Sequence, residues 1–114
     1  MSDSLSEMQR EFTLMVAGLI TWAYDNGFEL TFGEAFRTRE QDKIDAAKGT
    51  GIINSLHTLR LAVDLNAFKN GVYLTDTEDY LPLGEKWEAL GGSWGGRFSK
   101  PDGNHFSLEY NGVR

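Results

Sequence analysis

Lys69-Asn70-Gly71 joins the runs "LAVDLNAF" and "GVYL", and this short stretch restricts the fold more than any other. Asn-Gly tolerates the positive φ values of a tight two-residue turn, so a β-hairpin is predicted and part of the sheet must be antiparallel. Upstream, "FELTF" alternates apolar and polar residues as a half-buried strand does. Helical signals surround these strands. Ser4 and Glu7 form a capping-box pattern, and Leu5, Met8, Phe12, Met15, Val16, Leu19 and Ala23 follow at helical spacing as far as Asn26-Gly27. A helix is therefore expected over 4–26. "TREQDKIDAAKG" reads as a short helix closed by Gly49, and "TGIINS" as a loop. A further helix is expected over 82–90, with Pro82 near its start and Gly91-Gly92 at its end. "SWGGRFSKPDGNHFSLEY" reads as a glycine-rich loop entering a last short strand. The sum is α+β: one domain over 1–114, a small antiparallel sheet flanked by helices.

A chain of 114 residues is long enough for one core, and seven Phe, three Trp and four Tyr supply its volume. There is no cysteine, so any metal must be held by histidine and carboxylates. The longest apolar stretch, "FTLMVAGLITWAY", is too short to span a bilayer, and no membrane insertion is expected. "MSDSLSEMQRE" is acidic and polar, unlike a signal peptide, so synthesis and folding in a cytoplasm are expected. A net charge of −6 without a basic run argues against nucleic acid as a partner.

The chain has only two histidines, His57 and His105. His57 precedes Asp64 by seven residues. On a continuous helix that is about 700° of rotation, which puts both on one face but leaves their Cα atoms roughly 10 Å apart. On a continuous strand an odd separation sends them to opposite faces. A loop carrying His57 that bends into a strand carrying Asp64 brings them together; the competing reading is a loop histidine and a turn-capping aspartate. His105 opens the last strand, and Asp102 lies three residues before it. Two histidines and one aspartate, with no fourth protein ligand, suit a zinc site with an open position. Zinc in such a site acidifies its water, and a nearby carboxylate can take the proton as that water attacks a carbonyl. Asp102 is placed for that second task, or else is simply an Asp-Gly turn residue.

With these residues identified, the chain resembles the zinc peptidases of the D-alanyl-D-alanine carboxypeptidase and L-alanyl-D-glutamate endopeptidase family. Many phage endolysins belong to it, and it has the hedgehog-type fold. Its pattern is Ser-x-His, six residues, Asp, and later an acidic residue three before a second His, with Arg-Ser/Thr upstream. Ser55, His57, Asp64, Asp102 and His105 match, as do Arg37 and Thr38 in "GEAFRTREQ", over residues 30–108. The resemblance implies His57, Asp64 and His105 as Zn2+ ligands, Asp102 as general base and Arg37 as the group that stabilises the oxyanion. Ser55 is expected near the substrate or supporting the ligands. On the residues alone, Arg37 could equally form a surface ion pair with Glu34 or Glu40. One departure is Arg60, which stands where many members carry glycine. In "GGSWGGRF", four glycines allow close backbone approach. Trp94 among them could wall the cleft and bind substrate, or anchor the core with its N–H satisfied at an edge.

The activity implied is that of a zinc-dependent peptidoglycan peptidase. The expectation is a monomeric, single-domain phage endolysin that cuts the L-Ala–D-Glu bond of the stem peptide. It would stay in the host cytoplasm until released, then act on the wall from the periplasm. No separate wall-binding domain is expected at this length. The rivals are a D-Ala-D-Ala dipeptidase or carboxypeptidase using the same metal centre, and a non-catalytic, metal-stabilised binding module. Asp102 and Arg37 argue against the binding module, because a structural site needs neither.

Overall fold

The computed structural model describes residues 4–47 and 55–114. Ser4 caps helix α1 (Leu5–Asp25): its hydroxyl accepts the Glu7 N–H at 3.0 Å and donates to the Glu7 carboxylate at 2.9 Å. A first-turn donor is thereby satisfied, as the capping pattern predicts. Phe12, Leu19 and Ala23 are buried, and Leu5, Met8, Met15 and Val16 pack beside them, so the predicted stripe is the buried face. Strand β1 (Phe28–Phe32) follows, then helix α2 (Arg39–Ala47), where Thr38 Oγ1 accepts the Gln41 N–H at 3.0 Å. The expected closure at Gly49 and nearly all of "TGIINS" lie outside the described residues.

Strands β2 (Ala62–Lys69) and β3 (Val72–Tyr73) form the predicted hairpin. Asn70 and Gly71 have φ of +53° and +77°, and Lys69 stands opposite Val72, which is a type I′ turn. β2 is the spine of the sheet. β1 runs antiparallel along one edge, while β3 and β5 (His105–Ser107) share the other. β4 (Ser93–Trp94) pairs with β5, so the order is β1-β2-β5-β4. The sequence reads 93–94 as loop. Two residues are too few to show alternation, and only pairing with Phe106 and Ser107 makes them a strand.

Helix α3 (Leu81–Ala89), with Pro82 in its first turn, supplies the centre of the core. Trp87 is fully buried and meets Phe12 and Phe106 edge-on, with centroids 5.6 and 6.0 Å away. Its Nε1 donates to the Ser107 carbonyl at 2.9 Å. Val63, Leu65 and Ala67 of β2 belong to this core. The alternation of a strand therefore turns Asp64 and Asn66 to the opposite face.

One side chain completes the β2 edge. The buried Tyr80 hydroxyl accepts the Ala67 N–H at 3.0 Å and donates to the Leu74 carbonyl at 2.8 Å. Tyr80→Phe leaves both backbone groups unpaired, and a loss of about 1–3 kcal/mol is expected in denaturant unfolding. An unchanged midpoint would show that the hydroxyl does not hold this edge.

Candidate metal centre

Asp64 is fixed by backbone bonds and register. Its N–H donates to the Glu34 carbonyl at 2.8 Å, and its carbonyl accepts the Gly33 N–H at 2.8 Å. On the other edge Asp64 stands directly opposite His105. Opposed residues of an antiparallel pair project from the same face with Cβ atoms about 4.5–5.5 Å apart. His105 Nδ1 accordingly lies 3.6 Å from Asp64 Oδ1.

His57 arrives on a different device. Ser55 Oγ accepts the His57 N–H at 3.2 Å and starts a short 3₁₀ turn, Leu56–Leu59. Arg60 then adopts φ +56°, its N–H reaching the His57 carbonyl at 3.4 Å while the Leu61 N–H reaches that of Leu56 at 3.0 Å. This pair of bonds is the Schellman pattern, whose left-handed position favours glycine. The chain bends there into β2, and Gln9 of α1 ties the turn down by donating to the Leu59 carbonyl at 2.8 Å. His57 Nε2 comes to 3.4 Å from the same Asp64 Oδ1. The seven-residue spacing is thus a turn, a bend and a strand. Arg60 accepts the left-handed backbone, and its guanidinium lies 4.1 Å from the centroid of the Phe36 ring, away from the cleft walls.

One ligand atom from each of His57, Asp64 and His105 lies within 4.8 Å of the others. Asp64 Oδ1 is buried without a hydrogen-bond partner, as are His57 Nδ1 and His105 Nε2, the ring nitrogens that do not face it. A buried carboxylate oxygen between two imidazoles, lacking a donor, is costly unless a cation meets it. Burial would raise the Asp64 pKa, but His105 and His57 more than offset this and hold it at about 2. It is an anion at neutral pH. The donor set fits zinc and leaves room for a further ligand.

A cleft of about 260 Å³ opens over these atoms, with Arg37, Ser55, Phe98 and Asp102 among its walls. The Asp102 N–H donates to the Gly95 carbonyl at 2.9 Å, and its own carbonyl accepts the His105 N–H at 3.1 Å. A Cβ on Gly95 would stand 2.2 Å from that Asp102 oxygen and 2.7 Å from His105 Cβ, so this approach requires glycine. Partial desolvation, followed by the Asp64 charge, pushes the Asp102 carboxyl above its ordinary range.

Arg37 lines the cleft, and its Nε donates to Glu34 Oε1 at 2.9 Å, one of the two ion pairs the residues alone allow. That Glu34 oxygen also lies 3.8 Å from His57 Nδ1, on the imidazole edge away from Asp64. Sequence reading gave Glu34 no part in the centre, and its only signal was its place three residues before Arg37. Trp94 takes the second of its two readings. It pairs across β4 with Phe106, which puts its ring on the core side of the sheet, 3 % exposed. Its Nε1 donates to the Gly103 carbonyl at 2.8 Å, and it is not among the cleft residues. It anchors the core, with its N–H satisfied.

Residues 48–108 match the family model described as D-alanyl-D-alanine carboxypeptidase. No curated protein sequence matches the chain. The L-Ala D-Glu endopeptidase ChiX of Serratia marcescens superposes with a TM-score of 0.70 at 20% identity, over 91% of this chain and 85% of that one. The vancomycin resistance D,D-pentapeptidase VanY from a VanB-type cassette, a mutant in complex with Zn(II), gives 0.60 at 20% identity, over 85% and 70%. At such identity the likeness is one of fold.

Metal analysis tests the donor set. About one zinc per chain is expected, and it should be lost from His57→Ala and from His105→Ala, since two remaining ligands hold zinc poorly. Stoichiometric zinc in both variants would rule the set out.

Proposed function

We propose a function for a chain that belongs to the D-alanyl-D-alanine carboxypeptidase family: zinc-dependent hydrolysis of peptidoglycan, with the L-Ala–D-Glu bond of the stem peptide as the bond cut. The observation that carries this reading is one cleft holding the His57, Asp64 and His105 donor atoms together with Asp102 and Arg37. A metal that only stabilised the fold would need neither of the last two. The choice of bond draws support from ChiX, an L-Ala D-Glu endopeptidase whose fold covers more of this chain than VanY does.

Zinc, when bound by His57, Asp64 and His105, supplies Lewis acidity, polarising a carbonyl and acidifying water. Asp102 accepts the proton of the attacking water, a task its raised pKa suits, and passes it to the departing amine. Arg37 offers forked, permanently charged donors to the carbonyl oxygen as charge develops on it. Glu34 holds that guanidinium by hydrogen bonding and faces the Nδ1 edge of His57. Ser55 sets the His57 backbone through its cap.

The biological setting we propose is that of a monomeric phage endolysin, held in the host cytoplasm until it is released to the wall. Its support is the sequence pattern shared with endolysins of this family. No helix among the described residues is long and apolar enough to cross a membrane.

Digestion of purified sacculi, read by product mass, tests the reaction. New amino-terminal D-Glu is expected; release of D-Ala would move the cut to the end of the stem. Asp102→Asn should lower the rate by about 10² to 10⁴ with zinc content and thermal midpoint nearly unchanged. A fully active Asp102→Asn would falsify the base assignment. Sacculus binding without any cleavage by the wild type would make the chain a binding module.

A further inference from the structure

We infer that Lys100 and Arg114 form a carboxylate subsite beside the metal centre, so that the preferred substrate carries an ionised carboxylate next to the bond that is cut. This rests on the peptidase reading and narrows its substrate. The chain is acidic, with 17 Asp and Glu against 11 Lys and Arg, yet three cations converge on one cleft: Arg37, Lys100 and Arg114. Arg37 is engaged by Glu34. Among the described residues neither Lys100 nor Arg114 forms an ion pair, whereas nearby Arg97 is held by Glu88 at 3.0 Å.

The chain is shaped to bring Arg114 there. Asn111 and Gly112 have φ of +49° and +78°, the same turn chemistry as the main hairpin. Tyr110 and Val113 exchange two backbone hydrogen bonds of 2.9 Å across this turn. The turn buries little, since Val113 stays 39% exposed. What it does is fold the chain back, so that the Arg114 guanidinium lies 5.7 Å from the centroid of the Phe98 ring. The centroid of that ring is 5.2 Å from that of His105. Arg114 is thus one aromatic ring away from a proposed metal ligand. Lys100 reaches the same rim from the loop that carries Asp102.

Two unpaired cations on the wall of a half-enclosed cleft attract an anion. A forked guanidinium and a mobile ammonium together suit a carboxylate. The stem peptide offers one at its glutamyl residue, and amidation of that carboxyl removes the charge while keeping the shape. The free acid is therefore the better substrate.

The test compares two synthetic stem peptides, one with a free glutamyl carboxyl and one amidated, against the zinc-loaded wild type, Lys100→Ala, Arg114→Ala and the double variant. Each substitution should lower kcat/KM on the free acid about two- to fivefold, and the pair about tenfold, with little change on the amide. Added salt should erode the wild-type preference, because charges at an open rim are screened over about 8–10 Å. Zinc content and thermal midpoint should not move, since both side chains are exposed. A free-acid to amide ratio that stays the same in all four proteins overturns the subsite. If the wild type cleaves neither peptide, the peptidase reading fails by itself. Calorimetric binding of the same two peptides then decides: tighter free-acid binding, lost in the double variant, sustains the subsite, and equal affinities overturn it.

Discussion

The site depends on the register of β2 between β1 and β5. Val63, Leu65 and Ala67 point into the core, and this alone turns Asp64 to the other face, opposite His105. A slip of one residue would bury the carboxylate among Trp87, Phe106 and Leu19 and present an apolar side chain to the two imidazoles. Burial of the hydrophobic set and assembly of the donor set are therefore a single choice. The Asn70-Gly71 turn, the Tyr80 hydroxyl and the bonds to Gly33 and Glu34 all hold that choice in place.

The electrostatics are layered around this fixed point. Asp64 is kept anionic by two imidazoles, and Asp102 is kept more basic by partial desolvation and by Asp64 itself. Two carboxylates in one cleft are thus pushed in opposite directions, in keeping with the ligand and base roles proposed for them. Glu34 holds Arg37, and the same oxygen lies 3.8 Å from His57 Nδ1, between the metal side and the proposed oxyanion side of the cleft. Lys100 and Arg114 extend the same cleft outward with charge that no acidic residue of the described chain neutralises.

Much of this was legible before any coordinates, and what was legible was local. The stripe from Leu5 to Ala23, the alternation of "FELTF" and the Asn70-Gly71 turn each act within a few residues, and the corresponding elements formed within a residue or two of expectation. His57 and His105 are conspicuous as the two histidines of a chain without cysteine, and the resemblance to the peptidase family implies Asp64 beside them and Asp102 as base. The rest depended on pairing across the sheet. Trp94 faces the core because it stands opposite Phe106, and β4 exists only through that pairing. Arg60 adopts the left-handed backbone with its guanidinium over Phe36, a ring distant in sequence. The Asn111-Gly112 turn carried the same signal as the main hairpin, but no flanking apolar runs drew attention to it.

A crystal structure of the zinc-loaded protein would show whether His57, Asp64 and His105 meet at one ion. The two nitrogens that already face the shared Asp64 Oδ1 are His57 Nε2 and His105 Nδ1. One ion is expected, bound by those two nitrogens and that oxygen at about 2.0–2.2 Å, with Asp102 near but unbound. Zinc ligated by Asp102 or Glu34, or held by only one of the two histidines, would contradict that ligand set.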